Sequence, residues 1–221
     1  MKRFLMVLLV LTLTGCNQNQ SSGTESVNSV EKLNALPHKS IPESTLANES
    51  PLDATNIDDY LFIDGVTYID LRDANQLLNE GSIAGFVNIP FYNVLVSYEP
   101  SDNVLFSMNR KYSEDNAVLG SKGTFKATYE ESEWILNQLF PKNQPIVFMS
   151  TAGVEASYMI ALLTQLGYDP SYLYNAGTFT NGMGDVIAYK DYSKHRHYIQ
   201  PNTTYTVNLS FDWGELTPIT E

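Results

Sequence analysis

The sequence has 221 residues, of which 43% are hydrophobic, and it includes 14 Tyr and 10 Phe. This length and composition suit one globular domain with a buried core plus appendages, and they argue against a wholly disordered chain. The formal net charge of −12 at pH 7 gives a surface that repels nucleic acid and anionic lipid headgroups, so neither is an expected partner.

The N-terminal residues form the most specific local pattern. Lys2 and Arg3 precede the apolar run FLMVLLVLTLTG, which fits the core of a signal peptide and is short for a membrane-spanning helix. The run ends in LTGC at Leu13 to Cys16, which resembles the lipobox of bacterial lipoproteins. The resemblance implies a signal peptide over 1–15 and a Cys16 that carries acyl chains such as palmitate. These chains would hold the protein on the extracytoplasmic face of the cell membrane. The alternative is an uncleaved anchor, or a buried helix with an incidental cysteine.

Cys16 is the only cysteine in the chain. The residues after it therefore have no thiol for a disulfide, a cysteine nucleophile or a thiolate metal site. The stretch that follows is rich in Asn, Ser, Gln, Glu and Pro, so residues 16–56 are predicted to be the lipidated cysteine and a flexible tether.

From Ile57 the pattern changes to alternating strand and helix signals. The β-branched stretch VTYIDLRD at 66–73 predicts a strand. A short helix follows, with Asp73 as N-cap, Gln76 at the capping-box position and Gly81 at the end.

The next elements continue the alternation. FVNIP at 86–90 predicts a second strand, and residues 128–141 predict a helix with Thr128 and Glu131 at capping-box spacing. The apolar run PIVFM at 145–149 predicts a strand buried on both faces.

A further helix is expected after residue 153, because apolar residues recur there at helical spacing at Met159, Leu162, Leu163 and Leu166. SYLYN at 171–175 predicts a last short strand. Alternating strands and helices imply an α/β fold, in which a parallel β-sheet is flanked by helices on both faces.

Two blocks of sequence carry a family resemblance. YIDLRDANQLLNEGSIAGFVNIPF, from Tyr68 to Phe91, resembles the N-terminal signature of rhodanese-like domains. IVFMSTAGVEASYMIALLTQLGYDPSYLYNAG, from Ile146 to Gly177, resembles the second block of that family, which contains strand, active-site loop, helix and glycine turn. The resemblance implies a rhodanese-like domain over 57–190.

The loop in the second block departs from the family pattern. An active rhodanese loop has the form Cys-x-x-Gly-x-Arg, and the aligned residues here are Ser150, Thr151, Ala152, Gly153, Val154 and Glu155. Gly153 is retained, but a serine stands at the nucleophile position and a glutamate at the arginine position. A serine hydroxyl cannot carry a sulfane sulfur as a thiolate does. The resemblance therefore implies a degenerate active-site loop without catalytic residues.

Ser150 and Glu155 each allow two interpretations. An activated Ser150 would need a histidine base, and the candidates are His38 in the tether and His195 and His197 near the tail. The simpler interpretation is a small polar residue in a tight loop. Glu155 either selects a cationic or neutral ligand or complements the dipole at a helix N-terminus. Both interpretations of Glu155 argue against anion chemistry.

Other candidate residues receive structural interpretations. Asp70 and Arg72 end the first strand, and the family resemblance implies that they tie this strand to its neighbours. The HRH sequence at 195–197 offers two imidazoles to a metal, but without further ligands at suitable spacing we expect a solvated patch. No cofactor and no metal are expected.

Two stretches fall outside the family pattern. An insertion at about 92–127 is longer than a plain loop, and long excursions of this kind often serve as lids or binding surfaces. The C-terminal extension, 191–221, is predicted to form a half-buried β-strand, because apolar residues alternate at Tyr205, Val207, Leu209, Phe211 and Trp213.

The sequence thus predicts a membrane-anchored, extracytoplasmic rhodanese-like lipoprotein. We expect it to be an inactive homologue of sulfurtransferases that acts as a binding or scaffold module. Its partners would be membrane lipid through Cys16 and an unknown protein or small molecule. One alternative is a hydrolytic or other enzyme that uses Ser150. Another is a docking platform for a partner protein that supplies the thiol.

Overall fold

The computed structural model describes residues 36–98, 103–109, 124–180, 182, 186–201 and 211–219. The α-helices within these residues are α1 (Ala74–Glu80), α2 (Ser132–Leu139) and α3 (Val154–Gln165). Short 3-10 turns span Ala47–Glu49, Ile57–Tyr60, Pro170–Tyr172, Tyr189–Asp191 and Trp213–Glu215. No helix in this described part of the chain has the length and apolar character that crossing a bilayer requires.

A parallel sheet forms the centre of the fold. Its strands are β1 (Thr67–Asp70), β3 (Val87–Asn88), β7 (Ile146–Ser150) and β8 (Leu173–Thr178), in the spatial order β3, β1, β7, β8. All three pairings between neighbours are parallel. Parallel strands need crossover connections, and each α-helix lies in one of them. The predicted α/β fold with a parallel sheet is confirmed.

The two faces of the sheet have separate apolar clusters, because successive side chains of a strand point to opposite faces. Ile69 and Phe148 pack in one cluster with buried side chains of α2 and α3. Val147 and Met149 pack in the other cluster, mainly with residues that precede β1. Helices were expected on both faces, yet α1 contributes no buried side chain. Among the described residues, the second face is covered largely by irregular chain and 3-10 turns.

Residues 36–56, predicted to be part of the flexible tether, pack against the domain, and their buried apolar side chains lie on this second face. Leu36, Leu52 and Ala54 are buried there, and Lys39 is buried as well. The packed domain therefore begins no later than Leu36 rather than at Ile57. The sequence did not predict this packing, because the segment is mostly polar and its few apolar side chains follow neither a helical nor a strand period.

The insertion at 92–127 contains a second, small sheet in its described part. Its strands are β4 (Val96–Ser97), β5 (Phe106–Asn109) and β6 (Thr124–Ala127). β4 runs parallel to β5, and β5 runs antiparallel to β6. Phe106 and Phe125 join the cluster under α2 and α3, so the insertion extends the core of the domain.

The C-terminal extension is only partly described. The short β9 (Tyr198–Ile199) pairs antiparallel with β2 (Ser82–Ile83). Tyr205, Val207 and Leu209, three residues of the predicted strand, lie outside the described residues. Phe211 precedes a 3-10 turn that begins at Trp213, so neither is in a strand as predicted, although both pack against the first cluster.

The predicted helix ends are confirmed for α1 and wrong for α2. Asp73 caps α1 and forms a capping box with Gln76, and Gly81 ends the helix. At α2 the predicted box between Thr128 and Glu131 does not form, because the helix begins at Ser132 and Glu131 makes no side-chain cap. Instead the Glu131 carboxylate accepts hydrogen bonds from the backbone nitrogen and hydroxyl of Thr217, each at 2.9 Å.

Candidate functional site

The loop from Ser150 to Glu155 joins the carboxyl end of β7 to the first turn of α3. In open α/β sheets ligand sites gather at this edge. All five residues of β7 are buried, which fits its continuous apolar run. Ser150 is the last residue of the strand and lies opposite Thr178 of β8.

Ser150 has no exposed surface. Its backbone carbonyl accepts a hydrogen bond from the Phe179 nitrogen at 2.9 Å. Its hydroxyl lies 3.5 Å from the backbone nitrogen of Ala156, which is a long hydrogen bond. Position 150 is thus fixed by the sheet on one side and covered by the first turn of α3 on the other.

Gly153 holds the turn that leads into α3. Its φ of 76° lies in the left-handed region, where a side chain is strained. A Cβ at this position would come within 3.1 Å of the Ala47 side chain. The Gly153 carbonyl accepts hydrogen bonds from the Ser157 nitrogen at 3.1 Å and from Asn175 Nδ2 at 2.9 Å. Both the backbone conformation and the packing therefore call for glycine here.

Asn175 of β8 contacts this loop, and the sequence did not identify it as a site residue. Its Nδ2 also donates to the Thr45 carbonyl at 3.0 Å, and its Oδ1 accepts from the Gly177 nitrogen at 3.0 Å. Asn175 thereby joins the loop, β8 and the segment that precedes β1. The available signal is an asparagine at the end of the predicted short strand SYLYN.

Thr151 connects the loop to α1 and to the chain that follows β8. Its hydroxyl accepts a hydrogen bond from Gln76 Nε2 at 2.7 Å, and its carbonyl accepts one from the Thr180 nitrogen at 3.2 Å. Gln76 is the capping-box residue of α1, so one side chain serves both the helix start and the loop.

Glu155 lies in the first turn of α3, as predicted. The residue is half-buried, and its Oε2 atom is buried without a hydrogen-bond partner among the described residues. A carboxylate in this position is stabilised by the helix dipole by about 0.3 to 1 kcal/mol. Its negative charge beside the loop amides disfavours sulfate-like and phosphate-like ligands.

Asp70 and Arg72 form a buried ion pair at the carboxyl end of β1. Arg72 Nη2 lies 2.6 Å from Asp70 Oδ2, and it also donates to the Gly81 carbonyl at 2.9 Å. The guanidinium carbon lies 3.5 Å from the centre of the Phe179 ring. These contacts tie β1 to α1 and to the chain after β8, which matches the structural role implied for both residues.

The histidines show no catalytic arrangement with Ser150. His38 is exposed. The His195 ring packs between Tyr189 and Tyr198, with ring centres 5.6 and 4.9 Å away. His197 packs edge-on against Phe62. Within the described residues, no hydrogen bond joins a histidine to Ser150, and no group of three or more His, Cys, Asp or Glu side chains is placed to hold a metal ion.

Cys16 lies outside the described residues, so its predicted lipidation stays a prediction. Neither the models of known protein families nor the curated proteins include a match to this sequence.

Proposed function

We propose that this protein is a membrane-anchored extracytoplasmic lipoprotein whose rhodanese-like domain has lost sulfurtransferase chemistry and acts as a binding or scaffold module. The order of elements supports the domain assignment. The first sequence block that resembles rhodaneses spans β1, α1 and β3, and the second spans β7, the loop, α3 and β8. The loop lies at the sheet edge where open α/β folds carry their sites.

The observation that carries the loss of activity is the environment of Ser150. Sulfur transfer needs an accessible thiolate that attacks the donor and holds the persulfide. Position 150 offers a hydroxyl with no exposed surface, and Cys16 is the only thiol in the chain. The half-buried carboxylate of Glu155 further disfavours an anionic donor such as thiosulfate.

The same burial weighs against a hydrolytic function. A serine nucleophile must reach its substrate and must lie within hydrogen-bond distance of a base. Ser150 meets neither requirement in the described part of the chain.

The test against the hydrolytic alternative uses the full chain and its Ser150→Ala variant. We expect both to hydrolyse p-nitrophenyl acetate at the same background rate, and neither to be labelled by a fluorophosphonate probe. Ser157→Ala is the matched control, because Ser157 is a second buried serine of the same region, with its hydroxyl 2.8 Å from Thr45 Oγ1. Hydrolysis that Ser150→Ala abolishes and Ser157→Ala preserves would make Ser150 a nucleophile and would overturn the proposal.

A further inference from the structure

Residues 37–50, here called the strap, lie along the outer edge of β8. β8 is the last strand of the central sheet. The strap is mostly exposed or half-buried, and its only buried side chains are the polar residues Lys39 and Thr45. A segment with so little buried apolar surface has low local stability unless polar contacts hold it.

The ammonium group of Lys39 supplies such contacts. Its Nζ lies 2.7 Å from the Pro42 carbonyl and 2.9 Å from the Ser44 carbonyl, both in the strap. It also lies 3.0 Å from the carbonyls of Pro170, in the 3-10 turn before β8, and Leu173, the first residue of β8. An ammonium has three donors and no acceptor, so four converging carbonyls make a site for the protonated side chain. The Lys39 ammonium group thus connects two carbonyls of the strap with each other and with two carbonyls at the start of β8 and just before it.

Thr45 and Ala47 carry the connection from Lys39 to the loop. The Thr45 hydroxyl lies 2.8 Å from the Ser157 hydroxyl of α3, and its carbonyl accepts the hydrogen bond from Asn175. Ala47 lies against Gly153. The strap therefore covers both the outer edge of β8 and one side of the first turn of α3.

We propose that Lys39 is a latch, whose hydrogen bonds hold the strap in place and whose removal frees the strap while the central sheet stays folded. When the latch opens, the carbonyls of Pro170 and Leu173 lose the Lys39 donor. Two carboxylates interact electrostatically with the Lys39 ammonium group, those of Glu43 in the strap and of Asp169 before β8. Burial lowers the pKa of Lys39 to about 8, although these carboxylates raise it. A lysine pKa below its ordinary value means that a rise in pH does not by itself release the strap, so the latch depends on the hydrogen bonds of the side chain.

Hydrogen exchange on the full chain tests the latch. In Lys39→Met at pH 7 we expect exchange to accelerate by about tenfold or more at strap amides such as Ser44, Glu49 and Ser50, because their hydrogen bonds lie within the strap. Amides that join the central strands, such as that of Leu71, should keep their rates. Lys142→Met is the matched control, because Lys142 also donates to a backbone carbonyl, that of Leu166, from an exposed position.

A second measurement varies the pH without a substitution. For the unmodified chain, exchange of the strap amides, corrected for intrinsic base catalysis, should not accelerate between pH 7 and pH 9. The pKa of Lys39 in the docked strap, about 8, lies below its ordinary value of 10.5, so loss of the proton does not weaken docking. Unchanged strap exchange in Lys39→Met, or equal acceleration in the strap and in β1 and β7, would overturn the latch.

Discussion

The hydroxyl of Ser150 lies 3.5 Å from the backbone nitrogen of Ala156, at the long limit of a hydrogen bond, and it is fully buried. Asn175 makes three shorter hydrogen bonds around the same loop, two as donor and one as acceptor. The conformation of the loop therefore depends more on the amide of Asn175 than on the hydroxyl of Ser150.

Two substitutions compare these contributions. Ser150→Ala removes one weak hydrogen bond and should lower the free energy of unfolding by less than about 1 kcal/mol. Asn175→Ala removes three buried hydrogen bonds, including the one that the Thr45 carbonyl accepts, and should lower it by about 2 to 4 kcal/mol. Urea denaturation of both variants measures the difference, and equal losses would contradict this account of the loop.

The buried pair of Asp70 and Arg72 gives a second prediction. Their side chains are 2% and 0% exposed. Arg72→Met leaves the Asp70 carboxylate buried without its cation, so the free energy of unfolding should fall by about 3 to 5 kcal/mol.

The control for Arg72→Met removes both charges. Asp70→Leu combined with Arg72→Met eliminates the uncompensated carboxylate, so the double variant should be more stable than Arg72→Met alone. A double variant that is less stable than this single variant would show that the cost does not come from an unpaired buried charge.

The contact between Glu131 and Thr217 predicts a pH dependence for docking of residues 211–219. Partial burial raises the pKa of Glu131, but the hydrogen bonds from Thr217 outweigh it and leave the pKa below its ordinary value of 4.5. A carboxyl group with a depressed pKa stabilises the docked state fully above pH 4.5, and this contribution disappears as the pH falls through the depressed value.

Fluorescence of Trp213 reports this docking, because its ring packs on Tyr129 with ring centres 5.9 Å apart. In a Trp134→Phe background, which removes the only other tryptophan, the signal should change as the pH falls below 4.5. Adding Glu131→Gln should remove that transition, because the amide does not titrate in this range. The same transition with and without Glu131→Gln would rule out Glu131 as its source.

Much of the fold could be predicted from sequence, because the signals were local. The uninterrupted apolar run of β7 indicated a buried parallel strand, and Asp73, Gln76 and Gly81 marked the ends of α1. The start of α2 could not be predicted in this way, because Glu131 bonds to Thr217, which is 86 positions away. The hydrogen bonds between Glu131 and Thr217 thus take the place of the predicted capping box.

The site was predictable only in part for the same reason. Gly153 could be recognised from the spacing of the loop. Asn175 and Lys39 could not, because their partners are backbone groups that any sequence provides. The strap resembled a tether because its composition is polar, and its only buried side chains are Lys39 and Thr45.

The proposed anchor gives a prediction for Cys16. If the cysteine is lipidated, Cys16→Ala should block processing of the signal peptide or release the protein from membrane fractions, because the acyl chains are lost. Fractionation with palmitate labelling checks this, and the matched control is Ser22→Ala, a small substitution in the same polar stretch. Processed Cys16→Ala protein that stays tightly bound to membranes would contradict lipid anchoring.

Sulfur transfer from thiosulfate to cyanide by the Cys16→Ala full chain tests the loss of sulfurtransferase chemistry most directly. This variant has no thiol, because Cys16 is the only cysteine. We predict a rate equal to that of the buffer, since no thiolate exists to carry the persulfide. Turnover above that rate, in proportion to protein concentration, would show that the chain transfers sulfur without a cysteine and would contradict the proposed loss of activity.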